Sequence, residues 1–166
     1  MTLSWAYIAI GSNMGDPLNN CREGIRLMCD DRDIRLLAQS PYYRTAPIDY
    51  TDQEWFINAA VKIETSLAPL ALMHRLQAVQ DMMGRVPTVR FGPRTLDLDI
   101  IFYQDTILDD PHLTIPHPRM HKRRFVLQPV CDIDPAVVHP VLCLDVQTLL
   151  YQSDVQDQKI ERCLNC

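Results

Sequence analysis

The most informative stretch of this sequence is residues 90–101, which read Arg-Phe-Gly-Pro-Arg-Thr-Leu-Asp-Leu-Asp-Ile-Ile. The second half alternates apolar residues with Asp97 and Asp99, and a period of two indicates a β-strand with one apolar and one acidic face. Side chains on the same face of a strand stand roughly 6–7 Å apart, so the two carboxylates share one space. Because like charges repel, the pair is best explained by a hard cation such as Mg²⁺, which takes one or two carboxylates together with phosphate oxygens. Arg90 and Arg94 carry guanidinium groups that suit a polyphosphate, so the stretch predicts a nucleotide–metal site.

An Asp-x-Asp pair in isolation is equally compatible with a solvated strand edge. Here Gly92 and Pro93 form a turn just before the strand, and residues 100–102, which follow the carboxylates, are Ile-Ile-Phe. Such a run is more apolar than an exposed edge strand allows. The surroundings of the pair therefore favour a functional site on a buried strand.

The composition is that of a globular protein whose basic residues are mostly arginine. The 166 residues are 47% hydrophobic and 22% charged, with a net charge of −5, which argues against disorder and against general nucleic-acid binding. Thirteen arginines accompany three lysines, and arginine is the better fork for phosphate oxygens. No stretch is apolar enough to cross a bilayer and the N-terminus has no signal-peptide pattern. We therefore expect a cytoplasmic protein with neither membrane nor nucleic-acid partners.

Hydrophobic periodicity and turn residues predict alternating strands and helices. The predicted strands are residues 5–10, 35–43, 56–64 and 95–103, and the predicted helices are residues 17–29, 66–83, 120–129 and 146–151. The order β-α-β-β-α-β predicts an α+β fold, a ferredoxin-like sandwich with an antiparallel sheet covered by helices. We expect residues 1–166 to form a single domain, with about residues 153–166 as a loosely ordered tail.

The six cysteines lack the compact spacing of a disulfide framework, so we expect free thiols. Cys163 and Cys166 form a lone C-x-x-C at the end of the sequence. A zinc site would need two further ligands, and no second pair offers them.

Several short motifs in a fixed order resemble one enzyme family along nearly the whole chain. They are Ala9-Ile10-Gly11-Ser12-Asn13, Tyr43-Arg44-Thr45, Asn58-Ala59-Ala60-Val61, residues 90–101, Pro116-His117 and Arg123-Arg124-Phe125. Together they resemble the 6-hydroxymethyl-7,8-dihydropterin pyrophosphokinases, folate-pathway enzymes that move a pyrophosphoryl group from ATP to a pterin. The family has the same α+β fold.

The resemblance implies a role for each matching residue. Two Mg²⁺ ions would be held by Asp97 and Asp99, with Arg85 and Arg94 supporting catalysis on the ATP phosphates. The residues implied on the nucleotide are Gln77, Arg85, Arg90, Arg94, Ile100, Leu113, Thr114, His117 and Arg123. The residues implied on the pterin are Thr45, Ala46, Ile48, Phe56, Asn58, Phe91, Asp97 and Phe125, with Phe56 and Phe125 as the stacking pair.

The sequence departs from the family pattern at three of these positions or their neighbours. Phe91 stands where many members carry Trp, Pro118 where an aromatic residue is common, and Ala46 where proline is usual. Residues 85–94 correspond to a loop that we expect to close over ATP, and the smaller ring of Phe91 would bury less apolar area in that closure. ATP and the pterin are the expected partners, and we expect a monomer.

Two other functions remain compatible with parts of the pattern. A metal-dependent glycosyltransferase also uses Asp-x-Asp to hold a nucleotide diphosphate through a cation, although such enzymes generally need a larger domain. A ferredoxin-like RNA-binding module would need exposed paired aromatic residues on its central strands and a basic face. The acidic face of residues 97–99 argues against the RNA-binding module.

Overall fold

A computed structural model of the protein describes residues 2–84 and 88–166. The first half of the chain contains β1 (Ser4–Ser12), α1 (Pro17–Cys29), β2 (Ile34–Gln39), β3 (Tyr43–Thr45), β4 (Phe56–Thr65) and α2 (Pro69–Met82). The second half contains β5 (Asp97–Tyr103), β6 (Leu108–Asp110), β7 (Leu113–Ile115), a 3₁₀ turn (Met120–Lys122), α3 (Arg124–Ile133), α4 (Val146–Leu150), α5 (Ser153–Gln156) and β8 (Ile160–Arg162).

The main sheet is antiparallel and has the strand order β5-β1-β4-β3-β8, with β2 also paired to β4. The central strand β1 pairs with β4 on one side and with β5 on the other. Strands β6 and β7 form a separate two-stranded hairpin. The predicted α+β, ferredoxin-like fold is confirmed.

Two of the predicted elements are each divided into two in the structure, because the backbone is interrupted. The single strand expected over residues 35–43 is divided into β2 and β3 around Ser40 and Pro41, since proline cannot donate a hydrogen bond to a sheet ladder. The helix expected over residues 120–129 is divided at Arg123, which adopts an extended conformation (φ −123°, ψ 105°). This break places Arg123 immediately before the first turn of α3.

Two apolar clusters lie on opposite faces of the sheet. The first cluster packs β1 and β5 against α1 and α2, with Ile8, Ile10, Leu98 and Ile100 among its members. The second packs the other face against α3 and α4, with Ile101 among its members. Because side chains alternate along a strand, Asp97 and Asp99 project to the same face as Ile101.

The C-terminal segment differs from the loosely ordered tail predicted for residues 153–166. It contains α5, and β8 pairs with β3 through Tyr43↔Arg162 and Thr45↔Ile160. Cys163 and Cys166 are joined by a disulfide, which corrects the expectation of free thiols for this pair. Within the described residues, no helix is long and apolar enough to span a membrane.

Candidate active site

Two adjoining cavities open at the start of β5, and the same side chains form the boundary between them. Their volumes are about 380 and 390 Å³, and both are lined by Asp97, Asp99, His117 and Pro118. Leu98 lies between the two aspartates and is buried in the core. The alternation predicted for this strand therefore brings both carboxylates to the junction of the two cavities.

The first cavity contains most of the residues expected to contact a pterin. The predicted residues that line it are Ala46, Ile48, Phe56, Asn58, Phe91, Asp97 and Phe125. Thr45 does not line the cavity, but its hydroxyl accepts a 2.6 Å hydrogen bond from the Asn58 side-chain amide. Thr45 therefore acts on the cavity through the orientation of Asn58.

A glycine makes room for that amide. Gly11 on β1 is paired with Asn58 on β4 and with Asp97 on β5. A Cβ atom at Gly11 would lie 2.6 Å from Asn58 Oδ1, which is closer than real Cβ contacts allow. The absence of a side chain at residue 11 thus lets the Asn58 carboxamide pack against β1 between Thr45 and the cavity.

The second cavity contains the residues expected around the adenine. Gln77, Ile100, Leu113, Thr114 and His117 all line it. The β6–β7 hairpin forms one wall and α2 forms another. Sequence positions that are far apart in the chain are therefore brought together as the resemblance implies.

The four predicted arginines are placed differently. Arg94 and Arg123 line the first cavity, whereas Arg90 is exposed and lines neither of the two. Arg85 lies outside the described residues. The Arg94 guanidinium donates hydrogen bonds to the Thr88 hydroxyl and to the Pro93 carbonyl, the latter at 3.0 Å. Arg94 must exchange these intraloop contacts if it is to bind a phosphate.

His117 is held as a neutral donor at the cavity junction. Its Nδ1 accepts a 3.2 Å hydrogen bond from the Arg119 backbone N–H, so the proton of the neutral ring resides on Nε2. Burial, reinforced by the nearby Arg123 charge, lowers the pKa of His117 from 6.5 to about 4, although Asp97 opposes the shift. At neutral pH the ring can therefore donate one hydrogen bond without adding positive charge.

Three guanidinium groups surround the ring of Phe91 at the mouth of the first cavity. The guanidinium Cζ atoms lie 4.8 Å (Arg90), 4.4 Å (Arg119) and 5.8 Å (Arg123) from the ring centroid. Arg123 also contacts Asp49 at 3.2 Å, and both residues line the cavity. These cation–π contacts hold three positive charges near the cavity that Asp97 and Asp99 line. A bound polyanion would neutralise these charges.

A hydrogen-bond network connects three loops around this mouth. The Asn13 N–H donates to the Arg94 carbonyl, and the Arg94 N–H donates to Asn13 Oδ1. The Asn13 side-chain amide also donates to Gln53 Oε1 and to the Glu54 carbonyl, both at 2.9 Å. Gln53 in turn donates to the Phe91 carbonyl at 2.8 Å. Phe91 has a positive φ of 58°, which is strained for a bulky residue. The network therefore helps to hold Phe91 in that conformation.

Sequence reasoning did not assign Asn13, Asp49, Gln53 or Arg119 to the site. Asn13 lies within the Ala9-Ile10-Gly11-Ser12-Asn13 motif, so the sequence does carry a signal for this residue. Asp49, Gln53 and Arg119 occur in segments without periodicity, and their contacts depend on how distant loops meet. Such contacts carry no local sequence pattern.

The donor set at the junction fits Mg²⁺ held jointly with phosphates. No group of three or more metal-binding side chains was found within residues 2–84 and 88–166. Within that described part of the chain, the junction offers the carboxylates of Asp97 and Asp99 rather than an all-protein cage, and both residues line the two cavities. Mg²⁺ typically binds in this way, with the remaining ligands supplied by substrate phosphates and water.

Comparisons with known proteins agree with this arrangement. The family model for 7,8-dihydro-6-hydroxymethylpterin-pyrophosphokinase (HPPK) matches residues 7–135. The 2-amino-4-hydroxy-6-hydroxymethyldihydropteridine pyrophosphokinase of Bacillus subtilis is 41% identical over 128 residues, which cover 77% of each chain. The enzyme of the same name from Haemophilus influenzae is 40% identical over 135 residues, covering 81% of this chain and 84% of that protein.

Longer relatives contain a similar segment. The folic acid synthesis protein fol1 of Schizosaccharomyces pombe is 40% identical over 135 residues, but the chain spans only 18% of that protein. A crystal structure of wild-type Plasmodium falciparum HPPK-DHPS with pterin and p-hydroxybenzoate has the same fold (TM-score 0.74, 14% identity) and covers 98% of this chain and 45% of that one. From the family model and the bacterial relatives, we conclude that the chain belongs to the 7,8-dihydro-6-hydroxymethylpterin pyrophosphokinase family.

Proposed function

We propose that the protein transfers the β,γ-pyrophosphoryl group of ATP to the hydroxymethyl group of 6-hydroxymethyl-7,8-dihydropterin and releases AMP. The observation that carries the proposal is the position of Asp97 and Asp99, which line both cavities at their junction. A group that moves between two bound substrates must cross such a junction, and family membership supplies the class of reaction.

The first cavity suits the pterin. Phe56 and Phe125 offer aromatic faces, and a flat heterocycle gains from stacking on such rings. Asn58 adds an amide that can recognise the hydrogen-bonding edge of the heterocycle. The volume of about 380 Å³ is within the range of small-molecule sites.

The second cavity suits the adenosine part of ATP. Its lining combines apolar side chains such as Ile100 and Leu113 with the polar groups of Gln77 and Thr114. A purine placed there would extend its phosphates toward the carboxylates and the neutral Nε2–H of His117. Arg94 and Arg123 approach the same phosphates from the first cavity.

Two Mg²⁺ ions held by Asp97 and Asp99 would neutralise charge on the phosphates and lower the pKa of the pterin hydroxyl. The protein's own contribution is then to align the two substrates and to stabilise negative charge. The hydroxymethyl oxygen loses its proton to solvent and attacks the β-phosphorus, the bond between that phosphorus and the α,β-bridging oxygen breaks, and AMP leaves with the bridging oxygen. Arg94, Arg123 and His117 donate to phosphate oxygens during this displacement.

Isothermal titration tests the proposed substrates and metal together. A non-hydrolysable ATP analogue should bind tightly with Mg²⁺ and weakly when EDTA is present. A pterin analogue should bind to the complex of protein, Mg²⁺ and ATP analogue, and a sugar nucleotide should not compete. Binding of the ATP analogue that is independent of Mg²⁺, or turnover of a sugar nucleotide, would contradict the proposal and favour the glycosyltransferase alternative.

A further inference from the structure

The C-terminal brace, defined as residues 156–163, lies beyond the part of the chain that the family model matches, which ends at residue 135. It runs from the end of α5 through β8 to the first cysteine of the disulfide. None of its residues lines either cavity. It nevertheless contacts two segments that do.

Gln158 binds the peptide groups on both sides of Arg123. Its side-chain Nε2 donates a 2.7 Å hydrogen bond to the Lys122 carbonyl, and its Oε1 accepts a 2.9 Å hydrogen bond from the Arg124 N–H. Arg124 is the first residue of α3, so its N–H is one of those that a helix cannot satisfy internally. The Gln158 amide satisfies it from a distant part of the chain.

The Arg124 side chain is bound by the same segment. Its guanidinium donates 3.0 Å hydrogen bonds to the carbonyls of Gln156 and Gln158. Arg124 is thereby turned toward the brace, while its neighbours Arg123 and Phe125 line the first cavity. The brace thus keeps the middle one of three consecutive side chains out of the first cavity.

The brace also contacts a second segment that lines the first cavity. The Lys159 carbonyl accepts a 3.1 Å hydrogen bond from the Ala46 N–H, and Cys163 N–H donates to the Tyr42 carbonyl at 2.9 Å. These bonds flank the pairing of β8 with the three-residue strand β3. Ala46 begins the loop that lines the cavity, so neighbouring residues of the brace contact both segments.

We propose that Gln158 is a positioning residue for Arg123, the guanidinium that reaches the ATP phosphates from the first cavity. It acts through Arg123, whose backbone it clamps in the extended conformation that precedes α3. The inference rests on the proposed function, because it takes from that function the role of Arg123 on the phosphates. Gln158 itself touches neither substrate.

The test compares Gln158→Leu and Gln158→Glu with the wild-type chain in a pyrophosphokinase assay. The leucine variant removes both hydrogen bonds, whereas the nearly isosteric glutamate variant keeps the acceptor and loses the donor. We expect kcat/KM for the pterin to fall about tenfold in the leucine variant, the scale of one or two lost hydrogen bonds, and by less in the glutamate variant. Gln147→Leu, at an exposed glutamine of α4, is the matched control and should retain wild-type values.

A double-mutant comparison with Arg123→Ala distinguishes a positioning effect of Gln158 from a general loss of stability. In an Arg123→Ala background, Gln158→Leu should change kcat/KM less than twofold, because the group that it positions is already absent. Equal losses in both backgrounds, or no loss from either Gln158 variant in the wild-type background, would overturn the inference. If the leucine variant does not fold, the kcat/KM of Gln158→Glu is compared in the same two backgrounds. A wild-type chain without pterin-dependent release of AMP would instead contradict the proposed function itself.

Discussion

Asn13 and Arg94 are joined by two reciprocal hydrogen bonds. The Arg94 N–H donates to Asn13 Oδ1 at 2.9 Å, and the Asn13 N–H donates to the Arg94 carbonyl at 3.0 Å. The pair connects the end of β1 to the residues that lead into β5, three positions before Asp97. Asn13 therefore holds the backbone of Arg94 in place, just before the acidic strand β5.

We expect Asn13→Ala to lower kcat strongly and to raise the pterin KM. The substitution leaves the Arg94 N–H without its side-chain acceptor and removes the donor to Gln53, which itself binds the Phe91 carbonyl. The losses should exceed those of a single surface hydrogen bond because three loops lose their connection at once. Steady-state kinetics with each substrate varied in turn provide the measurement.

Asn19→Ala is the matched control for that experiment. Asn19 is exposed on α1, and its backbone N–H donates to Asp16 Oδ1, a contact that the substitution keeps. Wild-type kinetics in Asn13→Ala, with a normal melting temperature, would show that the network is not needed to form the site.

Gly11→Ala should weaken pterin binding with little effect on the ATP analogue. The new methyl group would lie 2.6 Å from Asn58 Oδ1, so the carboxamide must leave its hydrogen bond with Thr45. Titration with a pterin analogue in the presence of Mg²⁺ and ATP analogue measures the change. In an Asn58→Ala background, Gly11→Ala should lower the affinity for the pterin analogue hardly any further. An equal loss of affinity in that background would show that Gly11→Ala acts through another contact of β1.

The sequence was sufficient for the strand that carries the site and for the fold class. The alternation around Asp97 and Asp99 is a local property of the chain, and the structure places both carboxylates at the cavity junction as that alternation requires. The capping of α1 was equally local, since Asp16 accepts from the Asn19 N–H and Pro17 begins the helix. Patterns of this kind need no knowledge of distant residues.

Other features could not be predicted because they arise from contacts between remote segments. Residues 160–162 show no strong strand pattern, yet they pair with β3 because its edge leaves backbone groups to satisfy. The clamp of Gln158 on the peptide groups around Arg123 depends on the same docking. Distances between loops, unlike periodicity, are decided only in the folded protein.

We expect the stability of the protein to fall as the pH is lowered from about 6.5 to about 4, in part through His117. Burial depresses the pKa of His117 from 6.5 to about 4, so in this interval the unfolded chain binds a proton that the folded chain excludes. The contribution of His117 to folding is therefore present above pH 6.5 and is lost as the pH falls through about 4. Its upper limit is about 3 kcal/mol for a shift of this size.

Chemical denaturation at several pH values checks this expectation. His117→Gln keeps a neutral donor but cannot titrate, so its free energy of unfolding should depend less steeply on pH between those two values. Burial also lowers the pKa values of His121 and His139, so a residual slope should persist in the variant. Identical slopes in the variant and the wild type would show that His117 is not protected from protonation in the folded state.

The products formed from ATP, Mg²⁺ and 6-hydroxymethyl-7,8-dihydropterin are the most direct measure of the proposed pyrophosphoryl transfer. We predict AMP and the pterin pyrophosphate in equal amounts. We also predict loss of this reaction in Asp97→Asn and Asp99→Asn but not in Asp109→Asn, which changes an exposed aspartate on the neighbouring β6. Formation of ADP in place of AMP, release of AMP that does not depend on the pterin, or full activity in either junction variant would contradict the proposed transfer.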